Sequence, residues 1–159
     1  MKLLVVALIF SVALGHCTNT ALTPTPEQAS ADALTIRTGT SFGMCAGYCV
    51  HEYVINGTSV ALTQSATRTQ NQHPIRTCQF TINEADWSAL KAAANVDAFR
   101  QQPERLGCPD CADGGAEFIE LQLNDQKHRV TFEYGKTIPG FEPLVDLLRR
   151  QRTAHPSCK

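Results

Sequence analysis

The chain has 159 residues, 43% of them hydrophobic, a formal net charge of −1 and seven cysteines. That length suits one domain of ordinary size, and the apolar fraction excludes a disordered chain. A charge this near zero, with no basic run longer than Arg149-Arg150, gives no electrostatic ground for binding nucleic acid or an anionic membrane.

Residues 1–16 read as a signal peptide. Lys2 is the positive n-region, and Leu3 to Leu14 is an apolar stretch broken only by Ser11. It is too short for a bilayer span, which needs about 20 residues. Ala13-Leu14-Gly15 offers the small residues of a cleavage site. Leu14-Gly15-His16-Cys17 offers another ending, a bacterial lipobox in which Cys17 becomes the lipidated first residue, with His16 where such a box has Gly, Ala or Ser. Lipidation of Cys17 leaves six cysteines, an even number that can pair completely. Residues 17–32, rich in Thr, Ala and Pro, suit a flexible tether. The expectation is an envelope-anchored lipoprotein that touches membrane only through its lipid, with plain secretion or a periplasmic location as the alternative. Either route permits disulfides. A single domain then occupies residues 33–159.

Leu34, Ile36 and Thr38 alternate with Thr35 and Arg37, which predicts a half-buried strand. The corner Thr40 to His51 follows, with Cys45 and Cys49 inside it. Val50 to Ile55 reads as a strand, and Asn56-Gly57 as a type I′ hairpin turn with positive φ at both residues. Val60 and Leu62 lie on the returning strand. Cys78, Phe80 and Ile82 form another short strand after a polar loop.

Asn83 is placed to cap a helix, with Glu84 and Asp86 at the positive end of its dipole. Trp87, Leu90 and Ala94 share a face of that helix, Asn95 ends it, and Val96 to Phe99 add a short turn that buries Phe99. Residues 101–115 read as a loop around Cys108-Pro-Asp-Cys111. Ile119, Leu121 and Leu123, a turn at Asn124-Asp125, then Val130, Phe132 and Tyr134 make the clearest hairpin. Leu144, Val145, Leu147 and Leu148 stripe a last helix that runs to about Arg152, its late arginines suiting the negative end of the dipole. The order strand, hairpin, short strand, helix, hairpin, helix predicts an α+β domain. It is an antiparallel sheet of about five strands with two helices on one face, stabilised by disulfides. Trp87, Leu90, Leu144, Leu148, Ile119, Leu121, Val130 and Phe132 are the expected core.

The candidate chemistry centres on cysteine. Cys45, Cys49, Cys78, Cys108, Cys111 and Cys158 could supply zinc ligands, with His51 assisting. Paired Cys-x2-Cys knuckles are the specific zinc signal, however, and only one such spacing is present. Structural disulfides are favoured in an exported chain. Cys108-x-x-Cys111 also matches the spacing of thiol-disulfide oxidoreductases, but Ala-Asp-Gly-Gly and a strand follow it, where a redox cysteine opens a helix that stabilises its thiolate.

Six cysteines allow fifteen pairings. Cys108–Cys111 is the firmest pair, and Cys45, Cys49, Cys78 and Cys158 then share two bonds. A bridge from the 45–49 corner to Cys78 would tie the first hairpin to the strand before the first helix, a bridge to Cys158 would fasten the segment after the last helix, and spacing does not choose between the pairings. Asp110, Asp113, Gly114 and Gly115 lack the ligand spacing of a calcium loop. Gly135-Lys136-Thr137 lacks the upstream glycine of a phosphate loop, since Val130 stands there. Asn56-Gly57-Thr58 is a glycosylation sequon that the turn itself accounts for. His51, His73, His128 and His155 sit near no nucleophile motif. No catalytic residue, metal or cofactor is assigned.

The corner Phe42-Gly43-Met44-Cys45-Ala46-Gly47-Tyr48, behind an export signal and ahead of an Asn-Gly turn, resembles a family of bacterial exported proteins of unknown function whose motif reads C-F-G-x-C-P-x-Y. Phe42, Gly43, Cys45 and Tyr48 match it. Ser41 stands where the family has its first cysteine and Ala46 where it has proline, with Cys49 as the substitute for the missing cysteine. The resemblance implies export and a similar order of strands and helices, and brings no activity with it. The functional expectation is a non-enzymatic binding or inhibitor-like module for a protein or small ligand. The alternatives are a thiol-disulfide oxidoreductase using Cys108 and Cys111, or a metal-binding protein using its cysteines.

Overall fold

The computed structural model describes residues 34–158; the expected signal peptide, the tether and Cys17 lie outside the described residues. Strand β1 (Leu34–Ser41) lies mid-sheet, paired antiparallel with β2 (Val50–Asn56) on one side and β6 (Ala116–Leu123) on the other. Hairpin returns add β3 (Ser59–Ser65) and β7 (Gln126–Glu133) outside these. β4 (Arg76–Thr81) closes one edge, and the two-residue β5 (Arg105–Leu106) runs parallel to β7 at the other. The sheet order is β4-β3-β2-β1-β6-β7-β5. Three helices complete the fold: α1 (Glu84–Ala93), α2 (Val96–Phe99) and α3 (Glu142–Ala154). None of them is long and apolar enough to cross a membrane.

The α+β class is as expected, but the element count is corrected: seven strands and three helices stand where about five and two were expected. β5 falls within what reads as a loop, because two residues are too few to show alternation. Its pairing is parallel, so the sheet is mixed. α2 is the turn expected to bury Phe99, which is fully buried. Asn95 does more than end α1, since its side chain accepts from the Ala98 N–H at 3.1 Å and caps α2. Asn83 caps α1, accepting from the Asp86 N–H at 2.7 Å while its own amide donates back to the Asp86 carboxylate at 3.0 Å. The first hairpin turn is displaced by one residue. Asn56 is the last strand residue, opposite Ser59, and Gly57 alone takes positive φ, at 60°. Glycine at the first of two loop positions belongs to a type II′ turn rather than I′.

Alternation puts one set of side chains under the helices. Ile36, Ile55, Val60 and Leu121 align across the strands, as do Tyr53, Leu62, Ile119 and Val130 in the neighbouring row. Leu90, Phe99, Phe141, Leu144, Val145 and Leu148 cover them in one core. Of the eight expected core residues seven are buried. Trp87 is half-buried at the margin, because it lies a turn nearer the exposed start of α1 than Leu90. The opposite sheet face is solvated. There Arg37 bridges Glu52 (3.3 Å) and Glu120 (3.5 Å), and Arg129 pairs with Glu120 (2.9 Å) while lying 4.0 Å above the Phe118 ring.

Candidate functional site

The core-facing row turns polar at one end of the sheet. Continuing the parity of Ile36 and Thr38, β1 presents Thr40. Its cross-strand neighbours on that face are His51 on β2 and Glu117 on β6, with Gln64 on β3 beyond His51. Each of four adjacent strands therefore ends its apolar face with a polar side chain at the same level. The C-terminal turns of α3 lie over this row. Arg149 and Arg152, three residues apart, share one helix face.

Glu117 is 1% exposed and anchors the cluster. Arg149 donates from Nη2 to its Oε1 at 2.7 Å and from Nε at 3.2 Å, and the Gly135 backbone N–H adds a third donor at 2.9 Å. Arg152 donates to Oε2 through Nη2 and to the Thr38 hydroxyl through Nη1 at 2.6 Å. Burial alone would raise the Glu117 pKa; the hydrogen bonds from Arg149 and Gly135 and the two guanidinium charges outweigh it and hold the carboxyl below its ordinary value. Gly135 has φ 79°, a turn conformation that aims its N–H at the carboxylate.

His51 has a defined tautomer. The Cys158 backbone N–H donates to Gln64 Oε1 at 2.8 Å, which fixes the amide and turns its NH2 toward His51 Nε2 at 2.9 Å. An NH2 group only donates, so Nε2 accepts and the proton resides on Nδ1. Burial lowers the His51 pKa, against a hydrogen bond to the Tyr48 backbone that raises it. The ring is neutral in this setting. Tyr53 donates its hydroxyl to the His155 carbonyl at 2.8 Å, and His155 stacks on Phe80 at 3.7 Å.

A cleft of about 550 Å³ opens among these groups. Thr40, His51, Tyr53 and Glu117 form its floor, Arg149, Arg152 and Thr153 its helical wall, and Tyr134, Gly135 and Pro156 its rim. The segment after α3 is one side of it, held by Cys158.

All six described candidate cysteines are paired: Cys45 with Cys49, Cys78 with Cys158 and Cys108 with Cys111, at Cα separations of 5.8, 5.6 and 5.5 Å. This decides the pairing of Cys45, Cys49, Cys78 and Cys158 that the sequence leaves open, with no bridge from the 45–49 corner to Cys78 or Cys158. The corner closes on itself because three intervening residues already bring its sulfurs together. The register meanwhile puts Cys78 beside Leu62, where the chain end arrives. Cys17 lies outside the described residues.

The two local bridges sit in loops at the same end of the sheet as the cleft, since that end holds the close of β1 and β7 and the start of β2 and β6. These loops touch. The Gly43 N–H donates to Asp110 Oδ1 at 3.3 Å, and the Phe42 ring lies against Gly115 and meets Tyr134 edge-on at 5.0 Å. A side chain at Gly115 would strike the Phe42 ring, with 2.3 Å left to its nearest carbon.

The Cys108–Cys111 pair lacks a redox setting. Only a three-residue 3-10 turn, Cys111–Asp113, follows, with positive φ at Asp110, Ala112 and Asp113. That is no helix terminus to stabilise a thiolate. Among the described residues no three His, Cys, Asp or Glu side chains gather as a metal site.

Of the candidate residues read from sequence, His51 lines the cleft, Cys45, Cys49, Cys108 and Cys111 lie in the loops beside it, and the other lining residues are new. Arg149 and Arg152 read as dipole partners, and Glu117 and Gln64 drew no notice. One signal was available: both carry a polar side chain at core parity, two residues from Ile119 and from Leu62. Compared with known proteins, the chain matches no family model and no curated protein.

Proposed function

We propose that this protein is an exported, non-enzymatic binding module whose ligand-contacting end is the cleft together with the two disulfide-closed loops beside it. One observation carries the reading: two short-range disulfides stiffen touching loops at the same end of the sheet as a polar cleft floored by Glu117. Bridges that close loops of three or four residues remove less chain entropy than one that closes a long loop, and they also fix local shape. Pre-organised loops lower the entropy cost of binding. Three cysteine pairs fit an oxidising compartment, in keeping with export through residues 1–16 and anchoring at Cys17. The thiol-disulfide oxidoreductase and cysteine-metal alternatives are not favoured, since no helix opens at Cys111 and the described thiols are paired.

Mapping amide shifts while titrating a panel of small fragments tests this. Hits should cluster on Thr40, His51, Gly135 and the 42–49 and 108–115 loops. Hits confined to the solvated sheet face around Arg37 and Arg129 would overturn it. So would turnover of a small disulfide substrate that Cys108→Ser abolishes. For the anchor, Cys17→Ser should move the protein from the membrane to the soluble fraction. An unchanged soluble fraction would leave plain secretion.

A further inference from the structure

We infer that the cleft takes a small organic acid, seating its carboxylate on Arg149 and Arg152. This deepens the binding role proposed above and rests on it. Among the described residues the charged side chains lining the cleft are Glu117, Arg149 and Arg152. With His51 neutral, the walls carry one surplus positive charge. Asp146, one turn earlier on α3, borders an adjoining groove with Arg149 and Arg150 and forms no ion pair with Arg149 or Arg152. A cluster serving only to fasten α3 to the sheet would cost less with its charges balanced, because a poorly solvated ion is stabilised only by a partner.

The arginines also keep donors in reserve. Arg149 uses Nε and Nη2 for Glu117 and Nη2 again for the Lys136 carbonyl at 2.5 Å, so Nη1 has no acceptor among the described residues. Its side chain is 26% exposed, against 11% for Arg152, which puts Arg149 nearer the mouth. A planar guanidinium edge suits a planar carboxylate. The volume, about 550 Å³, is that of a small-molecule site.

The test is a titration of the folded, disulfide-intact protein with sodium acetate, sodium chloride or inorganic phosphate at constant ionic strength. It is read at the arginine Nε–H and Gly135 amide resonances. Acetate should give saturable shifts at Arg149, Arg152 and Gly135 that chloride does not. Arg152→Gln should weaken acetate binding about tenfold, the scale of one charge-assisted hydrogen bond. Arg150→Gln, outside the cleft, should leave it unchanged. If Arg152→Gln fails to fold, the wild-type titration decides: acetate shifts no larger than those of chloride overturn the inference. Phosphate binding more tightly than acetate overturns the choice of carboxylate. Neutral fragments filling the cleft without any acetate response would defeat this inference and leave the binding role standing. An absence of hits from fragments and acids alike would defeat both.

Discussion

Glu117→Gln removes the carboxylate shared by Arg149, Arg152 and the Gly135 N–H, and leaves two guanidinium groups facing each other under α3. Breaking a buried ion cluster from one side costs about 3–5 kcal/mol, and urea unfolding of the variant should show a loss of that size. The same residue and His51 set the response to acid. His51 is neutral when folded and its pKa is lowered, so on acidification the unfolded chain takes up the proton first. The stability it contributes is complete above about pH 6.5, the ordinary imidazole value, and falls as the pH drops toward the depressed folded pKa. Glu117, also lowered, gives a second loss below the ordinary carboxylate range of about 4.3. Urea midpoints measured against pH should therefore fall in two limbs. His51→Gln should remove the upper limb and keep the lower one. A wild-type profile flat between pH 7 and 5 would contradict the assignment of His51 as a neutral acceptor.

Among the elements, the C-terminal segment and the two loops make different use of the same bond type. Cys78–Cys158 spans 80 residues, whereas Cys45–Cys49 and Cys108–Cys111 span four and three. On the chain-entropy account the long bridge contributes about 4.5 kcal/mol and each short one about 2 kcal/mol. Cys158→Ser should consequently lower the denaturation midpoint far more than Cys45→Ser. It should also loosen the Gln64–His51 contact that the Cys158 N–H orients, which the His51 ring resonances would report. Equal effects of the two variants would contradict the chain-entropy account. In α3, Leu148 is fully buried against the sheet, and Leu148→Ala should cost about 2–5 kcal/mol. This stripe was legible from spacing alone, because the helical period selects Leu144, Val145 and Leu148 together. The arginines that follow were legible only as charges at a helix end, since nothing local in the chain tells which strand residue they meet.

For the whole molecule, the described core is closed within residues 34–158: α1, α2 and α3 cover one face of the sheet and the other carries its own ion pairs. A protein beginning at Ala33 should thus unfold in a single transition at the same temperature as one that keeps the tether. Calorimetry checks this, and a second transition or a lowered midpoint would show that the tether belongs to the folded unit. The loop end concentrates the turns bearing Gly43, Cys108 and Gly135, and the other end holds the tight hairpin turns at Gly57 and Asn124. This asymmetry follows from an order in which β1 lies between two hairpins that run the same way, so that both leave their tight turns at one end.

The sequence by itself determined the longer strands and helices, the face each presents, the helix cap at Asn83 and the hairpin at Asn124, because all of these depend on interactions within a few residues. It also determined that Cys108 would find Cys111, two residues being enough to bring them together. Tertiary structure alone decided that the opening strand lies mid-sheet and that Arg105–Leu106 pairs with β7. It alone decided that Cys78 meets Cys158 across 80 residues. It decided the cleft as well. Thr40, His51, Gln64 and Glu117 are spread over four strands with Arg149 and Arg152 on a helix beyond them, and their meeting depends on strand order and register. Those are set by the burial of the whole apolar face, and no local spacing encodes them.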